Sequence, residues 1–478
     1  MVVALILIPL LAAGLAALLP SNRARPWVLP VTAVVHFVLS LYAVWGHERL
    51  PLTRWLALDP PGRLVLLILT VLYLVCAFYA VGYLRQRVEL SNRIFCACLL
   101  LFLAMTTLVV CSMHMGLMWV AIEATTLSTA PLIYFNHTRR SIEATWKYLL
   151  IGSVGIALAL LGSFFLAYAS VRPGVDSSLL FSDLLVQAPQ LSKPWLHAAF
   201  ILLLVGYGTK MGLAPMHTWK PDVYGEAPGI VGALLAGGMT NCAFLALLRV
   251  EHVCRAAGET AFTGRLLVFM GILSMAFAAI FMIGQRDFKR MLAYSSVEHM
   301  GILALGIGIG GAGAIFGTLL HMFNNGFTKG VLFLSAGNIH RAYGAKTTDE
   351  VCGAMRRLPL SGTFFLLGFL AITGSPPFGP FVSEFSILNG AFARGRFGVS
   401  AAFLSLLLIV FIGMGRTVLS VVQGRPSAAA RHSRYRDGLL TGLPIVASLG
   451  LVLMLGLYIP APLQALLQGA VRYLEVRP

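Results

Sequence analysis

Charge is scarce in this chain. Asp, Glu, Lys and Arg make up 11% of its residues, against the roughly one quarter that a soluble domain uses to keep its surface wet. That shortage excludes an ordinary water-soluble globule. Cysteine motifs are missing too: Cys76, Cys96, Cys98, Cys111, Cys242, Cys254 and Cys352 form no CxxC pair, and Cys96 lies too close to Cys98 for a usual metal knuckle. An iron–sulfur or zinc site is therefore not expected. No GxGxxG follows a strand and there is no P-loop, so no nucleotide or redox cofactor is assigned. The chain is not expected to be a complete enzyme. If it serves energy conversion, the energy arrives from elsewhere.

Apolar residues fill the space that charge leaves, at 58% of the chain. They come in runs of about twenty residues, each able to cross about 30 Å of hydrocarbon. The first run, 2–19, has no basic residue ahead of it and is expected to be a span rather than a signal peptide. Together the runs predict an all-α polytopic membrane protein of about fourteen spans, near 2–20, 27–46, 62–84, 94–112, 115–135, 147–170, 196–215, 228–248, 265–284, 292–310, 312–339, 361–390, 399–422 and 439–459. Residues 171–195, with Pro173, Pro189 and Pro194, form the longest expected extramembrane segment, and 460–478 an amphipathic tail.

The net charge of +17 would suggest nucleic acid in a soluble protein. In a lipid bilayer it reflects Lys and Arg kept in cytoplasmic loops. The loops on the side of the termini, together with the termini, hold twelve Lys and Arg, and the opposite loops hold twenty. The richer set includes Arg139/Arg140, Arg286/Lys289/Arg290, Arg356/Arg357 and Arg431/Arg434/Arg436, while Lys210, Lys329 and Arg416 fall inside spans. Both termini are thus expected on the periplasmic side of an inner membrane.

Two spans carry helix-breaking sequences, Lys210-Met-Gly-Leu-Ala-Pro215 in the seventh and Gly374-Ser-Pro-Pro-Phe-Gly-Pro380 in the twelfth. Proline removes a backbone donor and clashes with the preceding turn, so both helices should be broken. The breaks lie five spans apart. If spans 4–8 (94–250) and 9–13 (264–422) are two copies of one unit, the copies have opposite orientations, as in the inverted repeats of secondary transporters. Residues 1–93 then supply helices 1–3, and 439–478 the last helix and tail.

A charge at the centre of a bilayer costs on the order of 2.5–3.5 kcal/mol on insertion scales. Glu123 in the fifth span, Lys210 at the first break, Lys329 in the eleventh span and Glu384 after the second break are therefore candidates for ion movement. Structural ion pairing or snorkelling competes for all four, and helix N-terminal stabilisation competes for Glu384. His321, Asn325 and Lys329, spaced i, i+4 and i+8, share one helix face. A polar stripe of this kind lines a polar helix or a file of water. His217, Asp222 and Glu226, past the first break, are candidates for proton uptake or for backbone caps. Glu298 and His299, near the expected start of the tenth span, could cap that helix or feed protons from the cytoplasmic side. No local spacing brings three metal ligands together.

The segments Gly208-Thr-Lys-Met-Gly-Leu-Ala-Pro-Met-His-Thr-Trp219, Asp287-Phe-Lys-Arg-Met-Leu-Ala-Tyr-Ser-Ser-Val-Glu-His-Met-Gly301 and Pro376-Pro-Phe-Gly-Pro-Phe-Val-Ser-Glu-Phe385 resemble a known family. It comprises the proton-translocating antiporter-like subunits of respiratory complex I, Mrp-type cation/proton antiporters and membrane-bound hydrogenases. The strongest resemblance is to the component F group of hydrogenase-4 and formate hydrogenlyase assemblies, and it covers roughly residues 60–420.

The resemblance implies fourteen helices with two inverted five-helix repeats. It also implies an input ion pair of Glu123 and Lys210, a central Lys329 with His321 beside it, and an exit residue at Glu384. Implied partners are other membrane subunits and a hydrogenase or related oxidoreductase arm. Alternatives are an Mrp-like cation/proton antiporter, a coupling subunit for inorganic-carbon uptake, or a structural scaffold. The chain departs from the complex I pattern in its eighth span, which lacks the relay lysine or histidine; Gly237 and Gly238 would leave room for water there, near Thr240 and Asn241. The long lateral helix of some relatives is not expected.

Overall fold

The computed structural model describes residues 1–46, 54–87, 89–171, 178–426 and 433–475. Pro173, Arg431 and the last three residues of the tail lie outside them. Among the described residues the regular structure is helical. The helices are α1 (Val2–Leu18), α2 (Val28–Trp45), α3 (Pro60–Arg85), α4 (Arg93–Cys111), α5 (Met115–Ile133), α6 (Arg139–Ala169), the short α7 (Phe181–Gln187), α8 (Lys193–Met211), α9 (Trp219–Glu226) and α10 (Gly229–Leu234). A π turn at Leu235–Met239 leads into α11 (Thr240–Ala256), followed by α12 (Thr260–Met282), α13 (Phe288–Ile309), α14 (Ala312–Tyr343) and the short α15 (Ala354–Arg357). The chain ends through α16 (Pro359–Ile372), α17 (Gly379–Ala393), α18 (Phe397–Val422), α19 (Leu439–Leu457) and α20 (Ala461–Glu475). Ten helical stretches among the described residues are long and apolar enough to cross a bilayer.

With α8–α9 and α16–α17 each taken as one broken span, and α10–α11 as one continuous span, the fourteen expected crossings are present. An even number of crossings puts both termini on the same face. The seventh span breaks after Met211, where Gly212 adopts a left-handed φ of 76°, and the twelfth breaks after Ile372, with Gly374 at 70°. Glycine takes this conformation without the Cβ clash other residues meet. Part of the expected 171–195 loop is ordered as α7 and a 3-10 turn at Ala188–Gln190.

Lateral surfaces are apolar. Leu150, Val154, Leu161 and Phe164 project from α6, and Leu404, Leu408, Phe411 and Ile412 from α18, as contact with lipid or with neighbouring membrane subunits requires. The interior is the reverse. Every residue of α10, the π turn and α11 is buried, and α13 and α14 are nearly as enclosed. This central layer nevertheless buries Arg249, Lys289, Glu298, His299, His321 and Lys329.

Near the termini's face, Arg249 of α11 locks three helices together. It forms a bidentate pair with Asp59 (Nε–Oδ2 3.0 Å, Nη2–Oδ1 2.7 Å) and donates to the carbonyls of Val110 and Ser112 at the end of α4. Asp59 in turn caps α3 by accepting from Gly62 N at 3.0 Å. The tail helix α20 buries Leu463, Leu467, Ala470 and Leu474 and sets the Tyr473 ring at a tilt against His252 of α11, with centres 4.6 Å apart.

Candidate proton path through the buried charges

Glu123 and Lys210 come together across α5 and α8, but not as the expected ion pair. Thr126, one turn beyond Glu123 on α5, stands between them. Its hydroxyl donates to Glu123 Oε2 at 3.3 Å and accepts a short bond from Lys210 Nζ. The Lys210 ammonium also lies 5.0 Å from the Tyr148 ring centre, within cation–π range. Lys210 is in the last turn of α8, where the outward carbonyls favour a cation. Trp219 Nε1 satisfies one of these carbonyls by bonding Thr209 O at 2.9 Å. Carboxylate, hydroxyl and ammonium thus form one hydrogen-bonded line.

Lys329 is fully buried on α14 and donates to Ser295 Oγ of α13 at 2.7 Å. One turn along α13 come Glu298 and His299. They do not open their helix. α13 starts at Phe288, capped by Asp287, whose Oδ1 accepts from Lys289 N and Arg290 N. That places Glu298 about 15 Å along the axis, so the capping role is excluded for both. The reason for the early start is Lys289, which is itself buried and donates to Gly225 O and Ala227 O at the end of α9.

His299 Nδ1 and His321 Nε2 share a hydrogen bond of 2.9 Å, and His321 Nδ1 meets Ser383 Oγ at 2.9 Å. Glu384 follows Ser383 on α17. It is the sixth residue of its helix, so N-terminal stabilisation does not explain it. Its Oε1 has no partner, and the carboxylate packs against Gly374, where a Cβ would lie 2.3 Å from Oε2. The polar stripe of α14 therefore faces α13 and α17. Asn325, in the same stripe, leaves both side-chain polar atoms unpaired, which marks a site for water.

Although no local motif gathers metal ligands, the fold brings His299, His321 and Glu384 within 4.8 Å of one another. These three could hold a metal ion by their separation. The 2.9 Å bond between the two imidazoles is instead the geometry of a pair sharing a proton.

Of the uptake candidates, Asp222 lies on α9 and pairs with Lys147 Nζ at 2.8 Å and closely with Arg290. It lines a cavity of about 380 Å³ with Glu143, Glu226, Asp287 and Lys346, on the face away from the termini. Glu226 pairs with Lys346 at 2.5 Å. Neither acid is a backbone cap. His217 is buried beside Phe277, Phe281 and Tyr294, with Nδ1 unpaired.

The eighth span does not open a space for water through its glycines. A Cβ on Gly237 would lie 2.5 Å from Leu72 and 3.0 Å from Gly326 O, and one on Gly238 would lie 3.3 Å from Phe102. These glycines let helices approach closely. Sequence reasoning also missed a fully buried lysine, Lys220, on the first turn of α9. It sits among prolines and polar residues that suggested a loop. The available signal was a basic residue between Trp219 and Pro221 in a segment bounded by two spans.

Broken seventh and twelfth helices, a closed polar centre and a row of buried lysines, histidines and carboxylates define an antiporter-like membrane subunit. The chain belongs to the family described as NADH:quinone oxidoreductase/Mrp antiporter, TM, whose model matches residues 112–412. It is similar to the hydrogenase-4 component F homolog of Methylacidiphilum infernorum, with 35% identity over 96% of each chain. It is also similar to NADH-quinone oxidoreductase subunit N of Desulforudis audaxviator, with 31% identity over 89% of this chain and 81% of that one.

Among solved structures, a chain of Thermus thermophilus respiratory complex I superimposes with a TM-score of 0.78 at 26% identity, covering 96% of this chain and 97% of that one. A chain of an archaeal membrane-bound sulfane sulfur reductase has the same fold, with a TM-score of 0.88 at 21% identity over 99% and 97% of the two chains.

Proposed function

We propose that this antiporter-like subunit moves protons along the row from half-buried Glu123 to buried Glu384 within a redox-driven complex. The supporting observation is the row itself. Glu123, Thr126 and Lys210 form one hydrogen-bonded group, and Lys329–Ser295 and the His299–His321–Ser383–Glu384 cluster carry it on. Each group can hold or pass a proton, and burying so many without a transport role would cost several kcal/mol per charge. The Asp222 vestibule admits protons from the cytoplasmic side, and Glu384 releases them toward the face of the termini.

In this reading the termini are periplasmic and the membrane is the cytoplasmic one. Residues 94–250 and 264–422 are the two inverted repeats, with 1–93 and 439–478 flanking them. The likeness to a hydrogenase-4 component F homolog favours a hydrogenase-type oxidoreductase arm as the source of energy. That arm acts by altering the electrostatics at Glu123 and Lys210. When a carboxylate moves away from Lys210, the buried ammonium loses its compensation and gives up its proton.

The test combines mass spectrometry of the assembly held by a tag on this chain with proton uptake by everted membrane vesicles. Hydrogenase and iron–sulfur subunits in the assembly, with uptake abolished by Lys210→Ala, are expected. Recovery of Mrp-type membrane partners alone, with sodium-dependent exchange, would overturn the redox reading. Normal uptake by Lys210→Ala would overturn the proton path.

A further inference from the structure

The two halves of the path need a connection. In the eighth span, from Gly229 to Ala256, no lysine is present, and its histidine, His252, lies near the termini's face against the ring of Tyr473. We propose that Lys220, from the helix after the first break, carries the proton between the halves. This rests on the transport reading above.

Lys220 is fully buried, and its Nζ donates to Ser296 Oγ at 3.0 Å, with Ser296 O at 3.4 Å. Ser296 is the neighbour of Ser295, which holds the Lys329 ammonium at 2.7 Å. Two buried lysines from different helices therefore end on consecutive hydroxyls of α13. Neither makes an ion pair with a carboxylate among the described residues. On the other side, Lys220 packs against Gly212 at the end of α8, and Gly212 is two residues beyond Lys210. A Cβ on Gly212 would lie 2.3 Å from Lys220 Cε, so the glycine at the break makes the channel for this side chain. The second break has the same construction, with Gly374 against the carboxylate of Glu384. Each broken helix thus presents one ionisable side chain in the notch of a left-handed glycine. Aromatic rings line the approach: Trp219 lies 5.2 Å from Tyr148, whose ring faces Lys210, and Tyr224 lies 5.9 Å from Lys220 Nζ.

The chemistry balances as a proton exchange. The Lys220 ammonium releases one proton to the hydroxyls of Ser296 and Ser295, with water closing the gap. The far hydroxyl delivers one to the neutral amine of Lys329, and Lys220, now neutral, is refilled from the Lys210 ammonium. A second ammonium nearby raises the energy of the first through Coulomb repulsion, so filling one site favours emptying the other.

The test uses the intact complex in everted vesicles, energised by the reductant it oxidises, with acridine-dye quenching as the readout and native gels to report assembly. Lys220→Met should lower proton uptake at least tenfold, and Lys220→Arg should do the same. Arginine keeps the charge and donors but does not release a proton, so assembled Lys220→Arg separates loss of charge from loss of proton release. Assembled Lys220→Met or Lys220→Arg complexes that pump within twofold of normal, while Lys210→Ala and Lys329→Ala abolish pumping, would overturn this inference alone. Normal pumping by Lys210→Ala and Lys329→Ala would instead defeat the transport reading beneath it. If Lys220 variants do not assemble, Ser296→Ala decides: a tenfold loss supports the relay and unchanged pumping overturns it.

Discussion

The hydroxyl of Thr126 is the connection between Glu123 and Lys210, and Thr126→Val removes it with almost no change in volume. In the structure that hydroxyl accepts from Lys210 Nζ and donates to Glu123 Oε2 at 3.3 Å. Its loss leaves a buried ammonium without this acceptor and a carboxylate without this donor. A hydrogen bond to a charged group contributes about 1.5–3 kcal/mol. At about 1.4 kcal/mol per factor of ten, the connected state should fall roughly 10- to 150-fold in population, and proton uptake with it. Thr126→Ser keeps the hydroxyl and should retain most of the activity. The assay is the initial rate of dye quenching in everted vesicles, normalised to the amount of assembled complex on native gels. Assembled Thr126→Val that pumps within twofold of normal would refute the argument that this hydroxyl bridges the charges.

Three other outcomes follow from the geometry. Glu384→Gln conserves shape but cannot take up and release a proton, so it should assemble normally and lower pumping at least tenfold in the same assay. Arg249→Met leaves Asp59 buried and unpaired and should cost about 3–5 kcal/mol, read as a large loss of monodisperse protein on heating in detergent; Asp59→Leu combined with Arg249→Met should recover part of it. Gly237→Val forces a side chain into Leu72 and the Gly326 backbone, and should reduce the yield of assembled protein on native gels, whereas Gly313→Ala, at a site with open space, should not.

The breaks in the seventh and twelfth spans were legible because proline and glycine act locally, through the backbone donor and the left-handed conformation. Lys210, Lys329 and Glu384 were legible because charge in an apolar run is conspicuous. The placement of Glu298 was not. Arg286, Lys289 and Arg290 suggested a stretch in water, but Lys289 is buried and caps the end of α9. α13 therefore begins several residues earlier than hydropathy implied. The glycines of the eighth span could equally have meant empty space or close contact, and only the position of α14 decides between them. Lys220 was hidden for the same reason, since its burial depends on Gly212 beneath it and on α13 passing beside it. The Arg249–Asp59 clamp joins residues 190 positions apart, a pairing no local pattern announces.

A threonine hydroxyl carries a single hydrogen, and that of Thr126 can reach Glu123 Oε2 or the Ile122 carbonyl while the oxygen receives one from Lys210. Once a proton has passed, the hydroxyl faces the wrong way and must swing round before it can serve again. In the proposed path the junction would then work as a turnstile, admitting one proton per rotation. Passage at this point is set by how often one side chain turns, so its rate belongs to Thr126 and not to the bulk of the channel.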